Sequence, residues 1–95
     1  MGFRFSGSAA KDIDSIVFRG AMDFGREQSV LYHGKLLRCC QFLAENPRAS
    51  RLRTEVRPPV RAYPCQSHII IYEIDDANNI LILRIHHGHE DWLDL

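Results

Sequence analysis

Two hydrophobic periods divide the chain. Between residues 9 and 21, apolar side chains return at steps of three and four: Ala9, Ala10, Ile13, Ile16, Val17 and Ala21. That spacing makes one stripe along a helix. Lys11, Asp12, Asp14 and Arg19 fall on what the pattern predicts to be the wet side. Ser6 or Ser8 stands where a cap is needed. Gly25 interrupts the period, and Arg26-Glu27-Gln28 opens a second helical stretch with the stripe Val30, Leu31, Leu36, Leu37, Cys40, Leu43 and Ala44. Asn46-Pro47 ends it, because proline lacks a donor and restricts the residue before it. Two helices meeting at one glycine predict an antiparallel hairpin.

Elsewhere the period is two. Phe3-Arg4-Phe5 alternates like a short strand, and residues 60–64 form a second candidate in which Pro64 argues for an edge or a bulge. Residues 68–74 carry the strongest strand pattern. Their three consecutive isoleucines predict a central strand, covered by helices on one face and partly protected on the other. A turn at 76–79 leads to an antiparallel partner at 80–86. Residues 48–59 have no clear period and read as a loop, stiffened by Pro58-Pro59 before the next strand. The fold class is α+β: an N-terminal strand, a helical hairpin, then a three-stranded antiparallel portion, all in one twisted sheet. The N-terminal strand must pair with the last or an inner strand, since helices follow it. Ninety-five residues suit one domain over 1–95.

Net charge is zero, so bulk charge argues for neither nucleic acid nor membrane. Its distribution is uneven. Residues 1–61 hold eleven Lys or Arg against six acids (+5), and residues 62–95 hold one arginine against six acids (−5). Unless folding interleaves the halves, the molecule is a dipole with one face suited to an acidic partner. Arg48, Arg51 and Arg53 form a basic patch opposed only by Glu55, and Arg57 and Arg61 extend it. The three cysteines, Cys39, Cys40 and Cys65, include no CxxC. An odd count with no crosslink pattern points to structural thiols in a reducing cytoplasm. No apolar run is long enough to span a bilayer.

Three kinds of chemistry fit the remaining residues. RNA cleavage needs a base, an acid and cations. His68, His86, His87 and His89 are candidate bases, Arg61 and Arg84 can hold phosphate, and Tyr63 and Tyr72 can stack a base. In a strand His87 and His89 share a face that His86 does not. A metal at His87-Gly88-His89 with Glu90 and Asp91 is disfavoured against a strand-end turn, and no cofactor is expected. DNA reading is disfavoured too, because Lys35 and Arg38 are the only interior basic pair of the second helix. Protein binding fits better. The helix pair can offer a groove, the arginines can meet a partner's acids, and Tyr63 or Trp92 can anchor. Trp92 can equally cap the core.

Taken in order, SAAKDID, LAENP, EVRPPVRAYPCQSHIIIYEI and LRIHHGHEDW resemble the ParE toxins of type II toxin–antitoxin modules, part of the RelE/ParE superfamily. The resemblance spans nearly the whole chain. It implies a helical hairpin against a twisted antiparallel sheet. It also implies a ParD-like antitoxin whose flexible tail folds across the toxin while its other end binds the operator, so that the toxin meets operator DNA only indirectly. Free toxins of this kind inhibit DNA gyrase, with the A subunit the expected contact, and act in growth inhibition and plasmid stabilisation without being enzymes. Arg57, Arg61 and Arg84 are then the first candidates for antitoxin or target contact, followed by His87, Asp91 and Trp92. The ribonuclease branch would instead use Arg61, Arg84 and His87 as a ribosome-dependent mRNA endonuclease. The lack of lysine in residues 48–57 departs from that branch. A third alternative is a degenerate toxin, active only in antitoxin binding and operon autoregulation. Ser67 and His68 are expected to be structural, and Tyr72 to be core.

Overall fold

The computed structural model describes residues 2–88. In chain order the elements are β1 (Phe3–Phe5), α1 (Gly7–Phe24), α2 (Arg26–Glu45), β2 (Leu52–Arg53), β3 (Val60–Cys65), β4 (His68–Ile74) and β5 (Ile80–His87). All strands join one sheet in the order β1-β5-β4-β3-β2. The three pairings from β2 to β5 are antiparallel. β1 joins β5, the last strand, in parallel, with Phe3 opposite Ile80. This is the α+β architecture that the sequence pattern predicts.

Local chemistry accounts for the helix ends. The Ser6 hydroxyl accepts the Ala9 N–H at 3.0 Å and donates to the Leu83 carbonyl at 2.8 Å. One side chain therefore caps α1 and moors it to β5. Gly25 has φ +92° and ψ 156°, a conformation open in practice only to glycine, so α1 ends and α2 begins with no linker between them. The helices cross where Gly20 faces Ser29. A Cβ on Gly20 would lie 3.1 Å from Ser29 Oγ, which donates to the Val17 carbonyl at 2.6 Å.

The main core lies between the hairpin and the sheet and includes Ala9, Ile13, Leu36, Cys40, Leu43, Ile70, Tyr72, Ile80 and Ile82. A smaller cluster on the opposite face joins Val60, Ala62 and Ile71 to Val56, Ile69 and Leu83. β4 is therefore central and covered on both faces, as its isoleucines predict. Ile71 pairs with Arg84 but Tyr72 pairs with Ile82, so Leu83 is skipped. This bulge lets Ile82 and Ile85, three residues apart, both join the main core. Tyr72 is fully buried, as expected, and donates its hydroxyl hydrogen to the Pro47 carbonyl at 2.8 Å.

Several expectations need correction. Val30 and Leu31 are exposed. The core line of α2 in that half passes instead through Ser29, Tyr32 and Leu36. Asp12 is not on a wet face but packs against β5. Part of the presumed loop forms β2, which pairs Leu52 with Arg61 and Arg53 with Val60. β3 is not an edge strand, and the bulge lies between β4 and β5. Pro64 is tolerated because two-residue β2 stops short of it. Folding also interleaves the two charged halves. The acidic β4–β5 hairpin lies beside β3, and Arg48 donates to Asn78 Oδ1 at 3.3 Å in the hairpin's turn. The dipole expected from the sequence is weakened accordingly. Finally, Cys39 and Cys65 are joined in a disulfide, although nothing in their spacing indicated a crosslink.

Candidate binding surfaces

Three surfaces carry the candidate residues. The first lies at the hairpin tip, where Phe18, Met22, Phe24, Val30 and Leu31 are each more than half exposed. Between the helices runs an open groove of about 520 Å³, lined by Ile13, Val17, Phe18, Ala21 and Val30 together with Asp14, Arg26 and His33. Its shape follows from the helix crossing: small residues at Gly20 and Ser29 bring the helices close, and the larger side chains splay outward around them. None of these residues was chosen as a site from the sequence. Their heptad-like spacing is equally consistent with core, and only packing shows which stripe faces outward.

The second surface is a cleft of about 800 Å³ between the tip half of the hairpin and the ends of β4 and β5. Ile16, Arg19, Gln28, Tyr32, His68 and His87 are among its walls. The Tyr32 hydroxyl is hydrogen-bonded to His68 Nδ1 at 2.6 Å and accepts the Ser67 N–H at 3.1 Å. The His68 and His87 rings pack edge to face with centroids 5.2 Å apart. His68 is thus a strand histidine with a partner, and Ser67 holds the turn through its backbone, its carbonyl accepting the Gly88 N–H at 2.7 Å. His86 is buried, so it lies apart from exposed His87. His89, Glu90, Asp91 and Trp92 lie outside the described residues, as do the expectations placed on them.

The third is the arginine segment. Arg57 is exposed in the loop before β3. Glu55 sits between Arg51 and Arg53, at 3.7 Å and 3.6 Å. The surrounding cations and its own backbone hydrogen bond hold the Glu55 carboxyl below its ordinary pKa, the backbone bond contributing most. Arg61 donates to the Ser50 carbonyl at 2.6 Å. Tyr63 is half-buried against Phe42, ring centroids 5.6 Å apart.

Arg84 belongs to none of these surfaces alone. Its Nε and Nη2 donate to the two carboxylate oxygens of Asp12 at 2.8 Å and 3.2 Å, and Asp12 Oδ2 also accepts the Ile85 N–H at 2.9 Å. Burial pushes the Asp12 carboxyl up. The Arg84 and Ile85 hydrogen bonds and the nearby cationic charge outweigh it, so the group titrates below its ordinary value. Arg61 and Arg84 stand on β3 and β5 with β4 between them, about 10 Å apart by strand spacing. His87 lies three residues further along β5. Of the three residues proposed for RNA chemistry, His87 lines the cleft and Arg61 and Arg84 are not among its walls. Among the described residues no group of three or more His, Cys, Asp or Glu side chains is placed to hold a metal. No described helix is long and apolar enough to cross a membrane.

A helical hairpin laid across one face of a mixed five-stranded sheet, with an apolar groove left open between the helices, defines a small α+β fold. The same fold is found in a chain of a solved structure titled "Chromosomal ParDE TA system from P. aeruginosa": the TM-score is 0.78 at 20% identity, covering 92% of this chain and 95% of that one. The family model for the ParE toxin of the type II toxin–antitoxin system, parDE, matches residues 3–92. The chain belongs to the ParE toxin family, within the RelE/ParE superfamily, and is thus of the toxin side of such a module. No curated protein matches it in sequence.

Proposed function

We propose that this toxin halts growth by binding DNA gyrase, with the A subunit as its contact, and that a ParD-like antitoxin neutralises it. Family membership supports the gyrase reading. The exposed apolar set at the hairpin tip carries the antitoxin reading. Five large apolar side chains, Phe18, Met22, Phe24, Val30 and Leu31, left exposed around one end of the hairpin are what a protein-binding surface without its partner would show. The groove between α1 and α2 suits the apolar face of an amphipathic helix, anchored at steps of three and four. Arg26 and His33 in its lining suit acidic residues flanking that face, and Asp14 suits a basic one. The toxin acts by docking rather than by catalysis, a reading supported by Arg84 being committed to Asp12 and Arg61 to the Ser50 carbonyl. Among the three arginines chosen from the sequence for contact, exposed Arg57 is left for the target, along with His87 at the cleft.

Purified toxin should inhibit gyrase supercoiling, and a stoichiometric amount of the antitoxin should restore it. Full supercoiling in the presence of toxin that binds its antitoxin normally would defeat the gyrase reading. New transcript ends after induction, with gyrase untouched, would move the protein to the ribosome-dependent endonuclease alternative. Unimpaired growth despite antitoxin binding would make it a degenerate toxin, acting only in the complex.

A further inference from the structure

We propose that Cys39 and Cys65 form a redox latch that fastens the middle of α2 to the β3–β4 turn and sets how firmly the toxin fold is held. The pair links residues 26 positions apart, from a helix to the last residue of a strand. Its surroundings show why this joint matters. Tyr32, Lys35, Cys39 and Phe42 follow one another at steps of three, four and three, so they share one face of α2. Each of them meets the β3–β4 hairpin. Tyr32 bonds Ser67 and His68, the Lys35 carbonyl faces Cys65 Sγ at 3.9 Å, and Phe42 packs on Tyr63. Apart from the disulfide, these contacts are the two hydrogen bonds of the Tyr32 hydroxyl, a sulfur–carbonyl contact and a ring contact. The covalent bond is therefore the strongest single fastening along that face. The same turn forms one wall of the cleft through Ser67 and His68.

Within the chain the arrangement has two end states, bridged and open. Cys40 is fully buried beside the bridge, and burial pushes its thiol up to about 11, so at neutral pH it supplies almost no thiolate to attack the bond. Cys65 is buried, whereas Cys39 is half-buried, so entry is from the Cys39 side. Opening needs an external dithiol or two thiols. A reductant thiolate attacks Cys39 Sγ, the Sγ–Sγ bond breaks, and Cys65 leaves as a thiolate that takes a proton. A second reductant thiolate then displaces Cys39 from the mixed disulfide. The reductant loses two electrons and becomes a disulfide, and the protein gains two thiols. Closing is the reverse, driven by a disulfide oxidant such as oxidised glutathione.

The test uses the full chain. After treatment with oxidised glutathione and removal of the excess, alkylation in denaturant should label one cysteine, and three after reduction. Reduction should lower Tm by on the order of 10 °C. A Cys39→Ala/Cys65→Ala variant should melt at one temperature with or without reductant, whereas Cys40→Ala should keep the full reductant-dependent shift. In glutathione buffers of graded composition the labelled fraction should pass from one thiol to three within the buffered range. Hydrogen exchange should accelerate on reduction at residues 63–68. Three labelled thiols after oxidation, or an unchanged Tm on reduction, would overturn the latch. So would a bridge that survives the most reducing glutathione buffer, since it would then be a fixed staple.

Discussion

The two ends of the helical hairpin have much the same apolar periodicity and opposite fates. At the base, Ala9, Ile13, Leu36, Cys40 and Leu43 vanish into the core, while Ser6 and Asp12 tie α1 to β5 through hydrogen bonds to its backbone and to Arg84. At the tip, Phe18, Met22, Phe24, Val30 and Leu31 stay in contact with solvent. The cause is geometric. α2 is 20 residues long and so extends about 30 Å, further than the core beneath it requires. The base supplies the stability of the fold, and the tip is left as the apolar surface that the proposed antitoxin contact would bury. The contrast teaches that amphipathic periodicity identifies a helix face but not what that face meets.

Mutations should separate the two ends. The largest effect is expected at the base core: Leu36→Ala removes a fully buried side chain and should cost about 3–4 kcal/mol, visible as a lower urea midpoint. Such a loss is a large part of the stability of any small domain.

Next comes Asp12→Asn, which takes the carboxylate away from the Arg84 guanidinium and the Ile85 N–H and should cost about 2 kcal/mol. The same group gives a pH dependence. Its folded-state pKa lies below the unfolded value, so its contribution is complete above about pH 4 and disappears as pH falls through the folded pKa. Urea midpoints measured from neutral pH down into that range should fall more steeply for the native chain than for Asp12→Asn. Parallel acid limbs would show that the pair contributes nothing.

Ser6→Ala should cost about 1 kcal/mol, through loss of the cap on α1. At the tip, Phe18→Ala or Val30→Ala should change stability by no more than about 0.5 kcal/mol, because these side chains are already in water.

Much of this division is invisible before folding. The β4–β5 hairpin is legible because two dense apolar runs flank a turn rich in Asp and Asn, and the base half of α2 is legible from Leu36, Cys40, Leu43 and Ala44. Val30 and Leu31 stand on the same helix ahead of Leu36 and Leu37, so the pattern assigns them to a core they do not enter. Asp12 misleads in the other direction. Its partner Arg84 lies 72 positions away, and a carboxylate on a helix reads as solvated until that partner is in place. β2 is too short to establish a period, and its Leu52-Arg53 pairing depends on β3 for definition. The Cys39–Cys65 pair is set by how α2 lies on the sheet, a relation that spacing along the chain does not encode. The arginines are legible as a cluster, but not in their engagements: Arg48 goes to Asn78, Arg61 to Ser50, and Arg51 and Arg53 share Glu55. Of that group Arg57 is exposed in the loop before β3.

The direct test of the contrast between base and tip is calorimetric titration of the ParD-like antitoxin into the Phe18→Ala/Val30→Ala double variant, paired with its thermal melt. At least a tenfold loss of affinity is expected, with Tm within a few degrees of the native chain. Unchanged affinity would mean that the antitoxin docks elsewhere, and a Tm lowered as far as that of Leu36→Ala would mean that the tip belongs to the core after all.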